Sequence, residues 1–384
     1  MTLMFLNGAT TKIHDLIIEN CIRDAIKVEY HYALIELYNL KKQRSLFNGN
    51  AKEYGFCKQQ IIYYKKCYAI HEKVLHHYNE IVKDQGYGNS ESPNKVIKHL
   101  KSVLDELNKE KKYLASVYSK YMFSMIQLEY MYRQENFIGA KKMLRQLYRA
   151  IGASPLNSHN FHVIPRVENE LGICALSLGD YEQAIRHLEK ALMLLWKSSK
   201  MNYYISLQEL FHAVFHNGNL LRAEKILAEC ISDQHSNLSD FRITKLHYFQ
   251  ACLYFKKKEY KQALKIVAKP MSLNKDKTGY DIAIRILRIQ CLIELSRLDE
   301  ASAHIENLRK HVSRNYKKTF TSERDTLITR LLVLMYKNGF SGLQNKTESQ
   351  IIKKLSDSHM KYKWLARSPE LIKFHEWYIE IVNK

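Results

Sequence analysis

Glycine and proline are scarce, at 13 and 5 of 384 residues, against usual proportions of roughly 7% and 5%. So few breakers exclude a turn-rich β-architecture and favour long helices. The seven cysteines stand singly at 21, 57, 67, 174, 230, 252 and 291, with no CxxC pair. An odd, scattered set excludes a disulfide framework and a zinc cluster, and suits buried thiols in a reducing, cytoplasmic compartment. No uncharged apolar run approaches the roughly 18 residues that a membrane span requires. Met1–Thr11 has an apolar patch but neither a basic start nor a long apolar core, so it does not read as a signal peptide. Acidic groups are also in deficit, 39 against 60 basic ones, for a net charge of +21.

The positive charge is unevenly spread. Residues 1–150 carry 24 basic and 15 acidic groups, residues 151–250 carry 9 and 10, and residues 251–384 carry 27 and 14. A neutral middle thus lies between basic flanks, which would attract an acidic partner or a polyanion. Hydrophobic residues make up 46% of the chain, too many for a largely disordered one. The 26 tyrosines fall mostly within helical periodicity, as half-buried packing groups with the hydroxyl at the rim.

Apolar residues from Ile13 to Tyr38 recur at three- and four-residue spacing and predict one amphipathic helix over 11–40, closed by Asn48-Gly49-Asn50. A second helix is predicted over 53–83, then a linker over 84–93. Its Gly86 and Gly88 follow no strand and read as a loop, not a phosphate cradle. Beyond residue 95 the pattern becomes helix pairs. Ala140, Ala184, Ala223, Ala263 and Ala301 are spaced by 44, 39, 40 and 38 residues. Three residues before each stands Phe137, Tyr181, Leu220, Tyr260 or Leu298, and four after each stands Leu144, Leu188, Leu227, Val267 or Ile305. Five coincidences in one register mark a repeat.

Within 165–198, Leu171-Gly172, Gly179-Asp180-Tyr181, Ala184 and Ala191 resemble one tetratricopeptide repeat (TPR), an antiparallel helix pair of about 34 residues. The resemblance extends more loosely over 121–315. Gly172 is replaced elsewhere by Leu128, Phe211, Ala251 and Ile289, and Ala191 by Leu147, Cys230, Pro270 and Leu308; Pro270 should shorten its helix. The fold implied is all-α, a right-handed α-solenoid of TPR-like hairpins. The expected division is an N-terminal helical segment over 1–93, the repeat array over 94–315 and a C-terminal helical cap over 316–384.

The basic stretch Arg314–Lys318 leads to a capping Thr321-Ser322 and a helix to about Lys337, ended by Asn338-Gly339. One more helix is expected over 348–358. The last is expected to start with Ser368 as N-cap and Pro369 in its first turn. Its Leu371, Phe374, Trp377, Tyr378, Ile381 and Val382 make it apolar around much of its circumference, so it folds back on the preceding pair or meets a second copy.

No catalytic signature is present: no Walker loop, GxSxG elbow or kinase motif. His71 and His76 are five apart, one too many for a zinc-protease helix, and His212 and His216, four apart, lack further ligands. No catalytic residue, metal ligand or cofactor is expected. In a TPR stack the first helix of each pair lines a concave groove. On this register Met122, Met125, Glu129 and Tyr132 face inward, then Arg166, Asn169, Ile173 and Leu176, then Ile205, Gln208, His212 and Phe215, then Lys245, Tyr248, Cys252 and Phe255. The resemblance implies a non-catalytic scaffold or adaptor that holds a peptide or helical segment of a partner, through Arg166, Asn169, Gln208, His212, Phe215, Lys245 and Tyr248. The dicarboxylate clamp of some TPR proteins is present only in fragments, Arg166 with Asn169 and Lys245 before Tyr248. Two other readings stay open: association of nucleic acid or another polyanion with the basic flanks, and a peptide-responsive regulator resembling the bacterial TPR phosphatases.

Overall fold

A computed structural model of the chain describes residues 12–87, 93–153, 163–196, 199–232, 240–269, 279–315, 323–340, 346–357 and 363–383. They form seventeen α-helices, and no strand occurs among the described residues. The sequence features at Met1–Thr11, Pro270, Tyr316–Lys318 and Thr321-Ser322 lie outside them. Two compact units are present, residues 1–170 and 171–384.

In the first unit, α1 (Lys12–Lys27), α2 (His31–Phe47) and α3 (Ala51–Tyr87) precede α4 (Pro93–Lys109), α5 (Val117–Arg133) and α6 (Phe137–Gly152). The single helix expected over 11–40 is two. The chain reverses at Glu29, whose φ of 55° is left-handed. The next amide, Tyr30, donates to the Ala25 carbonyl five residues back, at 2.9 Å. This closure satisfies the orphan carbonyls at a helix end. The Glu29 carboxylate also accepts the Val117 amide at 2.7 Å, so the reversal is tied to α5 by a contact that helical periodicity does not encode. Ile18, Ile22, Leu34, Ile35, Tyr38, Cys57 and Ile61 form the core of α1–α3.

The same turn recurs at Gly49 between α2 and α3, where the Asn50 amide bonds back to Ser45 at 2.9 Å, and in every repeat hairpin. Glu135, Gly179, Gly218, Lys258 and Ser296 all have positive φ. After each, the following amide bonds back five residues, as Asp180 does to Ala175 at 2.9 Å. The second helix then starts two residues beyond the turn residue, at Phe137, Tyr181, Leu220, Tyr260 or Leu298, and the anchor alanine follows three later. All five alanines are fully buried. Asn136 and Asp180 cap two of these helices, accepting from the Gly139 and Gln183 amides at 3.0 and 3.1 Å. Only two of the five turns carry the glycine that left-handed backbone favours.

The second unit takes up α7 (Val163–Ser177) from Leu171 onward and continues with α8 (Tyr181–Leu195), α9 (Lys200–His216), α10 (Leu220–Ser232), α11 (Asp240–Lys256), α12 (Tyr260–Val267), α13 (Tyr280–Glu294) and α14 (Leu298–Asn315). One apolar core runs through all of these and on into α15 (Glu323–Lys337), α16 (Lys346–Ser356) and α17 (Phe374–Val382). That continuity is what a hairpin stack demands, because each pair leaves an apolar face for the next to cover.

The last helix begins at Phe374, not at Ser368. Residues 363–373 carry no regular secondary structure. The side chain that serves the helix start is Glu370, which accepts the Phe374 amide at 2.8 Å. Buried Arg324 holds the same carboxylate with two bonds, at 2.5 and 2.8 Å, and donates to the Leu355 carbonyl at 2.9 Å. Pro369 is thereby kept out of the helix, because the backbone before Glu370 is committed elsewhere. Phe374, Trp377 and Tyr378 are buried against the preceding helices.

At Gly172 a methyl group would lie 2.6 Å from Leu188 Cγ and 3.3 Å from the Ala184 carbonyl. Leu188 is itself fully buried, so the helices must part to make room. Gly172→Ala should destabilise the second unit by about 1–3 kcal/mol, read as a lowered urea midpoint. An unchanged midpoint would show that this approach is not tight.

Candidate functional site

Helices α9 and α11 are the first helices of adjacent hairpins in the second unit. On α9, Glu209, His212 and His216 follow one another at spacings of three and four, so they share one helix face. On α11, Lys245 and Tyr248 do the same. The irregular segment 363–370 lies along these faces. Arg367 forms a fork on Glu209, Nε to Oε2 at 2.9 Å and Nη2 to Oε1 at 2.7 Å. The Tyr248 hydroxyl donates to the Pro369 carbonyl at 2.7 Å. His216 Nε2 pairs with the Ala366 carbonyl at 3.1 Å, which requires the tautomer protonated at Nε2. The indole of Trp364 stands edge-on to His216, ring centres 4.9 Å apart, and its Nε1 closes a local turn onto the Glu370 carbonyl at 2.8 Å.

The electrostatics follow from burial. Desolvation raises the Glu209 carboxyl, but Arg367, His212 and Lys245 outweigh it and bring the pKa down to about 2. Burial holds His212 at about 3, with Lys245, His216 and Arg367 acting the same way against the pull of Glu209. Burial also lowers His216 to about 4, the bond to Ala366 opposing and Lys373 and Lys256 assisting. Lys245 is lowered by burial, against Glu209, and its ammonium sits 5.3 and 5.6 Å from the Phe249 and Tyr280 ring centres. The Nδ1 of His212, on a side chain only 4% exposed, has no hydrogen-bond partner. The site therefore holds one carboxylate, two cations and two neutral imidazoles at neutral pH.

Of the residues expected to bind a partner, His212, Lys245 and Tyr248 take part in this cluster. Gln208 is half-buried, one position from the Glu209 that takes the guanidinium. Phe215 is buried and stacks on Phe211, ring centres 5.7 Å apart; it packs the hairpin. Its neighbour His216 faces the irregular segment instead. In the first unit, Arg166 pairs with Glu170 at 2.9 Å, and Tyr132 donates to the other Glu170 oxygen at 2.7 Å. Asn169 is buried, its Oδ1 without a partner. Sequence reasoning missed Glu209, His216, Arg367 and Trp364. The His212/His216 spacing had drawn notice only as a metal pair. His71, the other histidine considered as a ligand, bonds Ser119 at 2.8 Å. No group of three possible metal ligands occurs among the described residues.

Neither a protein-family model nor any curated protein sequence matches the chain. Solved structures do. The apo form of the quorum sensor NprR from B. thuringiensis is similar at 16% identity and a TM-score of 0.54, over 86% of each chain. The apo form of RapI is similar at 10% identity and 0.52, over 84% of each. NprR in complex with its cognate peptide NprX gives 16% and 0.52, over 85% of this chain and 88% of that one. Together with the recurring hairpin turn and buried alanines, these likenesses define a divergent TPR-like fold. No described helix is long and apolar enough to cross a membrane.

The chain's three tryptophans, 196, 364 and 377, all lie in the second unit, so their fluorescence reports its unfolding alone. Histidines held neutral when folded bind protons more readily once unfolded, so stability is full above about pH 6.5 and falls towards pH 4. Depressed Glu209 adds a further loss below about pH 4.3. Urea titration followed by tryptophan emission should show the unit roughly 1–3 kcal/mol less stable at pH 5 than at pH 7.5. His216→Gln should flatten that slope. A pH-independent midpoint would contradict the buried neutral state.

Proposed function

We propose that the chain is a non-catalytic, protein-binding regulator or adaptor, and that it holds an extended segment of a partner along the α9–α11 face. The observation that supports this most directly is the pattern of side-chain bonds from that face to an irregular backbone. Tyr248 and His216 pair with two main-chain carbonyls, contacts available to any extended peptide whatever its sequence. The first-choice residues on this reading are His212, Lys245 and Tyr248, with Gln208 and Phe215 shaping the walls and Arg166 and Asn169 a separate candidate in the first unit. NprR, which shares the fold over most of its length, has been solved with a cognate peptide; a peptide-responsive regulator is therefore the form of the reading we favour.

A displayed library of random peptides tests this. Wild-type chain should enrich binders, and Tyr248→Phe with Lys245→Ala should weaken them at least tenfold while helical circular dichroism stays unchanged. Enrichment indifferent to both substitutions would refute the site.

A second reading, polyanion association, is favoured by one specific feature. A furrow of about 440 Å³ between α13 and α14 is lined by Arg285, Arg288, His304, Asn307, Lys310, His311 and Arg314. Its lining is basic, with Asp281 paired to Arg285 and His311 and Glu306 to Lys310 at its edge. Heparin retention should fall in salt and drop sharply in Arg288→Glu/Lys310→Glu; equal retention by that variant would remove this reading.

A further inference from the structure

The segment that occupies the α9–α11 face has two parts held by different physics. From Glu370 onward it is anchored as core. Arg324 grips Glu370 with two bonds, and Leu371, Phe374 and Tyr378 are at most 1% exposed. Trp377 donates from Nε1 to Glu294 at 2.9 Å. Before Glu370 the contacts are of another kind. Trp364 and Pro369 are only half-buried, and the Arg367 side chain is 37% exposed. Ala366 and the Trp364 ring rest against the apolar core, and the polar contacts include the Arg367–Glu209 ion pair, two bonds to main-chain carbonyls and the ring contact with His216. Such bonds can be exchanged for equal ones from another chain, whereas the burial of Phe374 and Tyr378 cannot.

We propose that residues 364–369 are an internal ligand of the α9–α11 face, and that the external partner is a non-helical segment bearing an arginine in a turn, which enters by displacing them. This rests on the peptide-binding reading above and adds the chemistry of the partner. Glu209 selects it. Its carboxylate is 14% exposed and takes a two-pronged guanidinium from Arg367. Displacing the segment without returning a guanidinium would take away the carboxylate's two-pronged partner and leave only Lys245 nearby to offset its charge. Arginine satisfies the carboxylate with two parallel bonds where lysine supplies a point charge. The carbonyl contacts hold a turn, closed by the Ser368 amide on the Leu365 carbonyl at 2.9 Å, and His216 takes an aromatic ring three residues before the arginine, as Trp364 stands to Arg367. Tethering supplies the internal segment at high effective concentration, so a free peptide must compete against it.

Anisotropy of a fluorescein-labelled peptide of residues 363–370 tests this on the full-length chain. Trp364→Ala/Arg367→Ala should bind it at least tenfold more tightly than wild type. Peptide carrying alanine in place of Arg367 should bind at least tenfold more weakly, and so should the double variant with Glu209→Gln added. In the double variant, hydrogen exchange should quicken in residues 363–369 while α9, α11 and α17 keep their protection. No saturable binding to the double variant, indifference to the peptide's arginine, or loss of protection spreading into α17 would overturn the proposal and make the segment a fixed part of the cap. Library peptides that bind this face without an arginine, and without loosening residues 364–369, would overturn it while leaving peptide binding intact.

Discussion

The structure depends on how closely two antiparallel helices can approach. Where Ala140, Ala184, Ala223, Ala263 and Ala301 stand, only a buried methyl group separates the second helix of a pair from its neighbours. At Gly172 even a methyl group would intrude. Close approach sets the geometry of each hairpin, and the geometry leaves the aliphatic residues four positions on facing the next pair. A lone hairpin would expose that surface, so the pairs stack and their core continues from α7 to the last helix. Site, cap and internal segment are arranged on that stack.

The reversals repeat with equal regularity. A left-handed residue, a back-bond across five positions and a helix start two residues later occur five times in the repeats, once between α1 and α2 and once between α2 and α3. The N-terminal hairpin therefore uses the same closure as the repeats, although its sequence has no anchor alanine. Glutamate, lysine and serine adopt the left-handed backbone at four of these seven turns, at some local cost. The packing of the two helices they join outweighs that cost, which is why glycine is not required there.

The α9–α11 face combines features that each make sense only beside the others. Neutral, buried histidines leave Glu209 as the carboxylate of the cluster, and that carboxylate is satisfied by a guanidinium from 158 residues away. The segment bearing this guanidinium turns on itself, the Ser368 amide meeting the Leu365 carbonyl, while its Ala366 and Pro369 carbonyls also reach His216 and Tyr248. Arg324 and Glu370 mark where side-chain tethering gives way to core burial. The groups most suited to recognising a partner are thus those that hold the chain's own backbone, and groove occupancy and cap position share one set of contacts.

The repeat register, the helix pairs and the apolar last helix were legible in the sequence, because alanine spacing and 3.6-residue periodicity are local signals that survive divergence. The sequence also singled out His212, Lys245 and Tyr248, since first-helix positions face inward in any such stack. It did not single out His216 for this face, because that ring's partners, Trp364 and the Ala366 carbonyl, lie about 150 residues further along the chain. It read one helix where Glu29 makes two, because a polar residue's left-handed turn is stabilised by Val117, far along the chain. It started the last helix at Ser368-Pro369 on sound capping grounds, and tertiary contacts to Glu370, Pro369 and Ala366 prevailed. Local propensity determined which segments are helical and how they pair. Only the folded chain decided what lies in the groove, because that depends on contacts between residues more than a hundred positions apart.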